Sequence, residues 1–288
     1  MNIEQIKTIK LNFILATART GSTLLSTMLN THPNVVSTFE EPFAYNLYPK
    51  YKNITKWTSK TIQEFCYDFY LFSEGRLEVQ FGTKKDLETQ LEKNKEYLTV
   101  DTAIKIAYLC FFPNKEKSEI TTVVDKQLMF HLYLEKIAKN YPDSKFIILH
   151  RDPRDQCLTR FKMLKRKNIH QGYYRIAGAW NFVYGKLLRL KTKIGSNRFL
   201  EVKYEDLISN PEIELKKICS FLDITYNNVM LKYDEQINEE VKKTKLDAEI
   251  LKEFSLFHGG LREKVNTEKI GAWKKDLKTE EDNLIWTI

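Results

Sequence analysis

The alternation of apolar and polar positions near the N-terminus predicts a strand, a tight turn and a helix. Phe13, Ile14 and Leu15 form an unbroken apolar run, which is typical of a strand buried on both faces. Gly21 permits a tight turn after this strand. Apolar residues then recur at helical spacing, at Leu24, Leu25, Met28 and Leu29.

The polar loop between this strand and this helix is a candidate anion site. The first N–H groups of a helix have no partner inside the helix, and the helix dipole favours negative charge there. Hydroxyls and a guanidinium would add further donors. The candidate ligands are Arg19, Thr20, Gly21, Ser22, Thr23 and Leu24.

This loop differs from the usual ATP-binding loop, which reads Gly, four residues, then Gly-Lys-Ser/Thr. Here Gly21 is followed directly by Ser22, without the lysine, and Ala16 stands where the first glycine would be. The sequence therefore disfavours an ordinary Mg²⁺-dependent kinase.

Strand and helix patterns alternate along the rest of the chain, which predicts an α/β fold with a mainly parallel sheet. Further strands are predicted at 35–36, 121–124, 145–150 and 199–202, and helices at 128–140, 174–192 and 211–222. The apolar stretch 101–112 fits a helix or a strand. Four polar side chains follow the carboxyl ends of predicted strands, where parallel sheets bind ligands: Arg19, Glu40, Lys126 and Arg151.

Composition and charge narrow the class of protein. The 288 residues are 42% hydrophobic and contain no linker-like tract, so we expect a single domain over 1–288. The net charge of +8 favours an anionic partner, but lysines and acids are interleaved over 84–96, which argues against nucleic acid. The four dispersed cysteines predict reduced core thiols, and they lack the paired spacing of a metal site, so no metal is implied. No long apolar segment follows the N-terminus, so we expect a cytoplasmic location.

Two motifs carry a resemblance to a known family. The run Arg-Thr-Gly-Ser-Thr-Leu-Leu over 19–25 resembles the 5′-phosphosulfate loop of sulfotransferases that use 3′-phosphoadenosine 5′-phosphosulfate (PAPS). The segment 146–159 is similar to that family's 3′-phosphate segment, in which a strand delivers an arginine and a hydroxyl follows eight residues later. Arg151 and Thr159 keep this spacing, with threonine where the family usually has serine. The resemblance implies a P-loop-like three-layer α/β/α fold with a central, mainly parallel sheet.

Further matches follow in the order of the family. Tyr204, in Lys-Tyr-Glu-Asp-Leu, corresponds to a tyrosine that lies against the adenine, and residues 269–277 are similar to the C-terminal segment that closes over the nucleotide. Glu40 occupies the place of the general base in the carbohydrate and tyrosylprotein branches, although Glu41 competes for it. Lys126 corresponds to a lysine that either meets the sulfuryl group or anchors the next helix.

The resemblance implies transfer of a sulfuryl group from PAPS to a hydroxyl of a carbohydrate, lipid or other small molecule, without a metal. Residues 43–115 and 225–265 would then form acceptor-side and lid insertions. The alternatives are a P-loop-like kinase, a relative that binds nucleotide without turnover, and a basic nucleic-acid-binding protein. The sequence alone leaves the acceptor and the oligomeric state open.

Overall fold

A computed structural model describes residues 1–38, 47–73, 83–112, 115–128, 130–243 and 259–287 of the chain. Helices dominate this part of the chain, and short 3₁₀ turns connect several of them. The α-helices are α1 (Ile3–Thr8), α2 (Ser22–Thr31), α3 (Tyr48–Tyr51), α4 (Ser59–Ser73), α5 (Lys84–Lys93), α6 (Val100–Phe111), α7 (Leu134–Asn140), α8 (Pro153–Arg166), α9 (Tyr173–Ile194), α10 (Tyr204–Ser209), α11 (Pro211–Leu222), α12 (Tyr233–Lys243), α13 (Trp273–Asp276) and α14 (Thr279–Trp286).

The described strands form one five-stranded sheet in the order β2-β3-β1-β4-β5. Its strands are β1 (Lys10–Leu15), β2 (Val35–Thr38), β3 (Thr122–Gln127), β4 (Phe146–His150) and β5 (Phe199–Lys203). The pairs β1–β4, β2–β3 and β4–β5 are parallel. The predicted α/β class with a central parallel sheet is therefore confirmed.

Aromatic side chains at matching register positions join three of these strands. Phe13 pairs with Phe146, and Phe146 pairs with Phe199. Their rings stack at centroid distances of 5.5 and 5.0 Å. Because all three rings are buried, they fix the register of β1, β4 and β5 through apolar packing.

The chain divides into two compact units, each built from separate segments. Unit 1 comprises Met1–Asn12, Leu25–Lys126 and Asn227–Lys264. Its interior is rich in aromatic side chains: Tyr51 stacks on Trp57, and Phe65 stacks on Phe69. These four aromatic side chains are all buried and belong to the core of unit 1.

Unit 2 comprises Phe13–Leu24, Gln127–Tyr226 and Val265–Ile288. Helices α8 and α9 share an apolar cluster with α14, in which Cys157 and Ile285 are buried. The C-terminal helix is thus part of the same apolar core as α8 and α9. The loop and Arg151 both belong to this unit.

Several local predictions are corrected by the structure. The ambiguous stretch is helix α6, and the predicted helix over 128–140 begins only at Leu134. The cap of α8 is Asp152, whose carboxylate accepts the Arg154 N–H at 2.9 Å. All four cysteines are buried and free, as their spacing indicated. No helix in the described ranges is long and apolar enough to cross a membrane.

Candidate functional site

The loop between β1 and α2 has a backbone shape that few side chains adopt. Arg19 and Gly21 have positive φ values of 71° and 88°. The buried Thr20 hydroxyl donates to the Thr17 carbonyl at 2.8 Å, which closes the turn between them. Helix α2 begins at Ser22, so its first N–H groups face the turn without intrahelical partners.

A glutamine from α8 holds this loop in place. Gln156 is 1% exposed, and its Nε2 donates to Thr17 Oγ1 at 2.8 Å and to the Ala18 carbonyl at 2.5 Å. Helix α8 starts three residues earlier, directly after β4, so the loop and α8 are joined within unit 2.

Arg151 leaves the carboxyl end of β4 and is buried beside the same loop. Its Nη2 donates to the Lys269 carbonyl at 2.7 Å and its Nη1 to the Arg19 carbonyl at 3.4 Å. Its Nε is buried and has no hydrogen-bond partner among the described residues. No described carboxylate forms an ion pair with Arg151, and its hydrogen bonds go to two backbone carbonyls, whose oxygens carry only partial charge.

Tyr204 lies between the loop and Arg151. A Cβ atom added at Gly21 would come within 2.5 Å of Tyr204 Cδ2 and 2.7 Å of Cε2, so no other residue fits at position 21. The Arg151 guanidinium carbon lies 4.4 Å from the centre of the same ring. Tyr204 therefore contacts both arms of the predicted anion site.

The C-terminal segment is bound to the start of α8 through Asp155. This carboxylate is 1% exposed and accepts the Gly271 N–H at 2.7 Å and the Trp273 N–H at 2.9 Å. Both carboxylate oxygens of Asp155 thus accept backbone N–H groups of the C-terminal segment.

The electrostatics of the loop favour a bound anion. Burial lowers the pKa of Arg19, and the neighbouring positive charges of Arg151 and Arg166 lower it further. A guanidinium nevertheless stays protonated at neutral pH. A phosphate or sulfate group in the loop would relieve the repulsion among these arginines.

The structure brings most of the predicted donor-site residues together in unit 2. Thr159 lies one turn after Asp155 on α8, and its hydroxyl donates to the Asp155 carbonyl at 2.7 Å, so it must rotate to donate to a phosphate. Ser22, Thr23 and Leu24 form the first turn of α2.

The predicted catalytic residues are not among the residues that unit 2 brings together. Lys126 was expected after the end of a strand, but it lies inside β3 and is 2% exposed, because that strand runs to Gln127. Lys126 belongs to unit 1. Glu40 and its competitor Glu41 lie outside the described residues.

Two residues that shape the site were not identified from the sequence. Gln156 holds the loop, and Asp155 binds the C-terminal segment. A partial signal was present, because Arg151, Asp155 and Thr159 are spaced four apart. Their partners are more than a hundred positions away and gave no local signal. In the described part of the chain, no group of three or more His, Cys, Asp or Glu side chains could hold a metal, and the expected absence of a metal stays a prediction.

Comparisons with known proteins point to one family. The sequence profile of the Sulfotransferase family matches residues 13–228. Protein-tyrosine sulfotransferase 2 from Gallus gallus is 26% identical over 238 residues, which cover 81% of this chain and 56% of that protein. This chain spans about half the length of the curated relatives it matches.

Two solved structures show the same fold. The sulfotransferase domain from the curacin biosynthetic pathway aligns with a TM-score of 0.61 at 20% identity, covering 97% of both chains. A mouse sulfotransferase solved in complex with adenosine 3′,5′-bisphosphate (PAP) aligns with a TM-score of 0.51 at 13% identity, covering 97% of this chain and 86% of that one.

Proposed function

Since this chain belongs to the sulfotransferase family, we propose that it transfers the sulfuryl group of PAPS to an acceptor hydroxyl. The observation that carries the proposal is the buried Arg151, which lies beside the Arg19 loop with no described carboxylate to neutralise it. Two positive groups at the ends of β1 and β4 suit a ligand with two anionic ends.

PAPS has such ends. The loop over 19–24 would hold the 5′-phosphosulfate through backbone N–H groups, the Ser22 and Thr23 hydroxyls and Arg19. Arg151 and Thr159 would hold the 3′-phosphate, whose oxygens would replace the carbonyls that Arg151 now contacts. The PAP-bound mouse sulfotransferase of the same fold supports this assignment.

The reaction moves one sulfuryl group and releases one proton. The acceptor oxygen forms a bond to sulfur while the bond from sulfur to the 5′-phosphate oxygen breaks. The electron pair of that bond leaves with PAP, and the acceptor proton goes to a base. Arg19 and the loop would stabilise the charge that develops on the transferring and leaving oxygens, as in phosphoryl transfer.

The base that we propose is Glu40, and Glu41 is the alternative. The sequence predicts an extended segment at these two residues, and successive residues of such a segment point to opposite sides, so only one of the two carboxylates would face the acceptor. Lys126 would stabilise the sulfuryl group or anchor the chain after β3. Its burial inside β3 supports the anchoring role more than the sequence did.

A substitution of Glu40 distinguishes the role of the base in turnover from the binding of the donor nucleotide. Glu40→Gln keeps the shape of the side chain but removes its basicity, so turnover should fall roughly 100- to 10,000-fold while PAP binding is retained. Glu41→Gln is the matched control and should retain most of its activity. If Glu41→Gln is the inactive variant instead, the two carboxylates exchange roles; if both variants keep full activity, the base lies elsewhere.

The acceptor class is the open part of the proposal. The sequence favoured a carbohydrate, lipid or small-molecule hydroxyl, whereas the curated relatives are named protein-tyrosine sulfotransferases. Both are hydroxyl acceptors, so the donor site described above serves either. A screen with sulfur-labelled PAPS should include glycans, small alcohols and tyrosine-containing peptides.

Calorimetry with PAP tests the donor assignment directly. We expect PAP to bind without added divalent metal, and ATP-Mg²⁺ to bind far more weakly, because the loop lacks the lysine of an ATP site. Binding of ATP-Mg²⁺ without binding of PAP would favour the kinase alternative. Binding of PAP without transfer to any acceptor would favour a non-catalytic relative.

A further inference from the structure

We infer that Tyr204 is a positioning residue, whose ring sets the distance between the loop at Gly21 and the guanidinium of Arg151. This inference rests on the proposed function, because it assigns those two groups to opposite ends of one nucleotide. It differs from the role that the family resemblance implies for Tyr204, which is contact with the adenine.

The contact with Gly21 involves one edge of the ring. The missing Cβ of Gly21 would come within 2.5 to 2.7 Å of Cδ2 and Cε2, which is closer than any real Cβ contact. The φ of 88° at Gly21 independently disfavours a side chain there. The glycine therefore allows both the turn and the close approach of the tyrosine.

The contact with Arg151 involves the face of the ring. The guanidinium carbon lies 4.4 Å from the ring centre, which is within the range of a cation–π contact. Nη1 of Arg151 reaches back to the Arg19 carbonyl at 3.4 Å. The ring thus fills a space that is bounded by the loop on one side and by the arginine on the other.

The pairing of β4 with β5 places Arg151 and Tyr204 side by side at the same end of the sheet. His150 is the last residue of β4 and pairs in register with Lys203, the last residue of β5. Arg151 and Tyr204 are the next residues along these neighbouring strands, and they are 6% and 7% exposed. A ring in this place has little freedom to move, so it holds Arg151 at a defined distance from the loop.

A fixed distance benefits only a ligand that reaches both groups. When two subsites are held at the span of a ligand, the second contact becomes intramolecular and adds to the affinity. A nucleotide with a single phosphate gains nothing from the spacing. The ring, rather than the hydroxyl, supplies this effect, so phenylalanine should replace the tyrosine.

The experiment compares three nucleotides on three proteins. Dissociation constants are measured for PAP, adenosine 5′-monophosphate and adenosine 3′-monophosphate, with the wild type, Tyr204→Leu and Tyr204→Phe. We expect Tyr204→Leu to raise the PAP constant about 10- to 100-fold and either monophosphate constant by less than about threefold. Tyr204→Phe should stay close to the wild type for all three nucleotides.

Tyr173→Leu is the matched control. Tyr173 is a buried tyrosine of unit 2 at 8% exposure, and its ring stacks on Phe161 at 4.5 Å. Its loss should lower the thermal stability without changing the ratio of PAP affinity to monophosphate affinity. This control separates a general loss of packing from a loss of spacing.

Equal losses for all three nucleotides on Tyr204→Leu would overturn the inference and restore the adenine contact, since all three carry adenine. A Tyr204→Phe variant as weak as Tyr204→Leu would assign the effect to the hydroxyl and also overturn it. Should Tyr204→Leu fail to fold, Tyr204→Met also removes the flat ring and is expected to show the same selective loss of PAP affinity. Failure of the wild type to bind PAP would instead overturn the proposed function.

Discussion

Arg151 shows how a single side chain can be stable in the fold and still be available to a ligand. Its Nη1 and Nη2 atoms donate to backbone carbonyls, and the ring of Tyr204 covers its face. Carbonyl oxygens carry only partial charge, so a phosphate with full charge is a stronger acceptor for the same donors. The arginine is therefore placed in advance for an anion.

Removing the Arg151 side chain should weaken binding of the 3′-phosphate end of the donor nucleotide. For Arg151→Ala we expect PAP binding to weaken by about 2 to 4 kcal/mol, because a charged hydrogen-bonding partner of the 3′-phosphate is lost. Binding of adenosine 5′-phosphosulfate, which lacks that phosphate, should change little. Calorimetry with both ligands makes the comparison.

The chain offers a matched control for this variant. Arg198 also donates to backbone carbonyls, those of Ser144, Ala138 and Tyr141, at 2.7 to 3.2 Å. Arg198→Ala should lower stability and leave PAP affinity unchanged. If both ligands weaken equally on Arg151→Ala, Arg151 does not bind the 3′-phosphate.

The sequence located residues of the site that carry local signals. Arg19 and Arg151 follow apolar runs, and strand ends are where parallel sheets bind ligands. The contact of Tyr204 with Gly21 joins residues that are 183 positions apart in the sequence. No pattern within either segment records such a contact, so the spacing role of the ring needed the structure.

At the scale of elements, α8 connects the donor loop with the C-terminal segment. Gln156 binds the loop, while Asp155 on the same turn binds the Gly271 and Trp273 N–H groups. Arg154 adds a contact, because its guanidinium carbon lies 3.5 Å from the centre of the Trp273 ring. One turn of α8 thus fixes two distant pieces of the chain.

Neutralising Asp155 should loosen this connection. Asp155→Asn keeps the size of the side chain but replaces one acceptor oxygen by an NH₂ group, which opposes a backbone donor. We expect a loss of about 1 to 3 kcal/mol in the free energy of unfolding. PAP binding should also weaken, because the Lys269 carbonyl that orients Arg151 belongs to the released segment.

Denaturant unfolding and calorimetry measure the two effects. Asp276→Asn is the control: Asp276 pairs with Lys162 at 2.5 Å, and both side chains are largely exposed, at 42% and 51%. A surface ion pair contributes about 0 to 1 kcal/mol, so this variant should change neither quantity much. Equal effects of both substitutions would contradict the role of Asp155.

The predicted bounds of helices and strands were accurate where the apolar pattern was clear, and they were wrong where tertiary packing determines the end of the element. Helix α9 and strands β4 and β5 lie within one or two residues of their predicted bounds. Strand β3 runs three residues beyond its prediction, to Gln127, and the polar residues at its end are buried. Asp125, for example, accepts the Tyr108 hydroxyl at 2.9 Å, and no sequence pattern shows that contact.

For the whole molecule, stability should depend on pH through the buried His131 and the half-buried His150. Burial lowers the pKa of His131 and of His150 below the ordinary value. Above the pKa of the unfolded state, both states are neutral and the histidines have no effect. Below it, the unfolded chain binds more protons, so the free energy of unfolding falls as the pH falls from 7 toward 5.

Thermal unfolding between pH 5 and pH 8 tests this dependence. His131→Gln removes one of the two groups, and we expect its melting temperature to decline less steeply on acidification than that of the wild type. His170→Gln changes an exposed histidine and serves as the control. An identical acid slope in the wild type and His131→Gln would show that His131 does not contribute.

The order of the segments in unit 2 has a consequence for biosynthesis. The Asp155 carboxylate is made 116 and 118 residues before the two N–H groups that it binds, and Arg151 is made 118 residues before the Lys269 carbonyl. Until residues 269–273 leave the ribosome, a nascent chain holds these charges without their final partners. The nucleotide pocket should therefore mature late in translation, and a translational stall before residue 269 should leave a chain that cannot retain PAP.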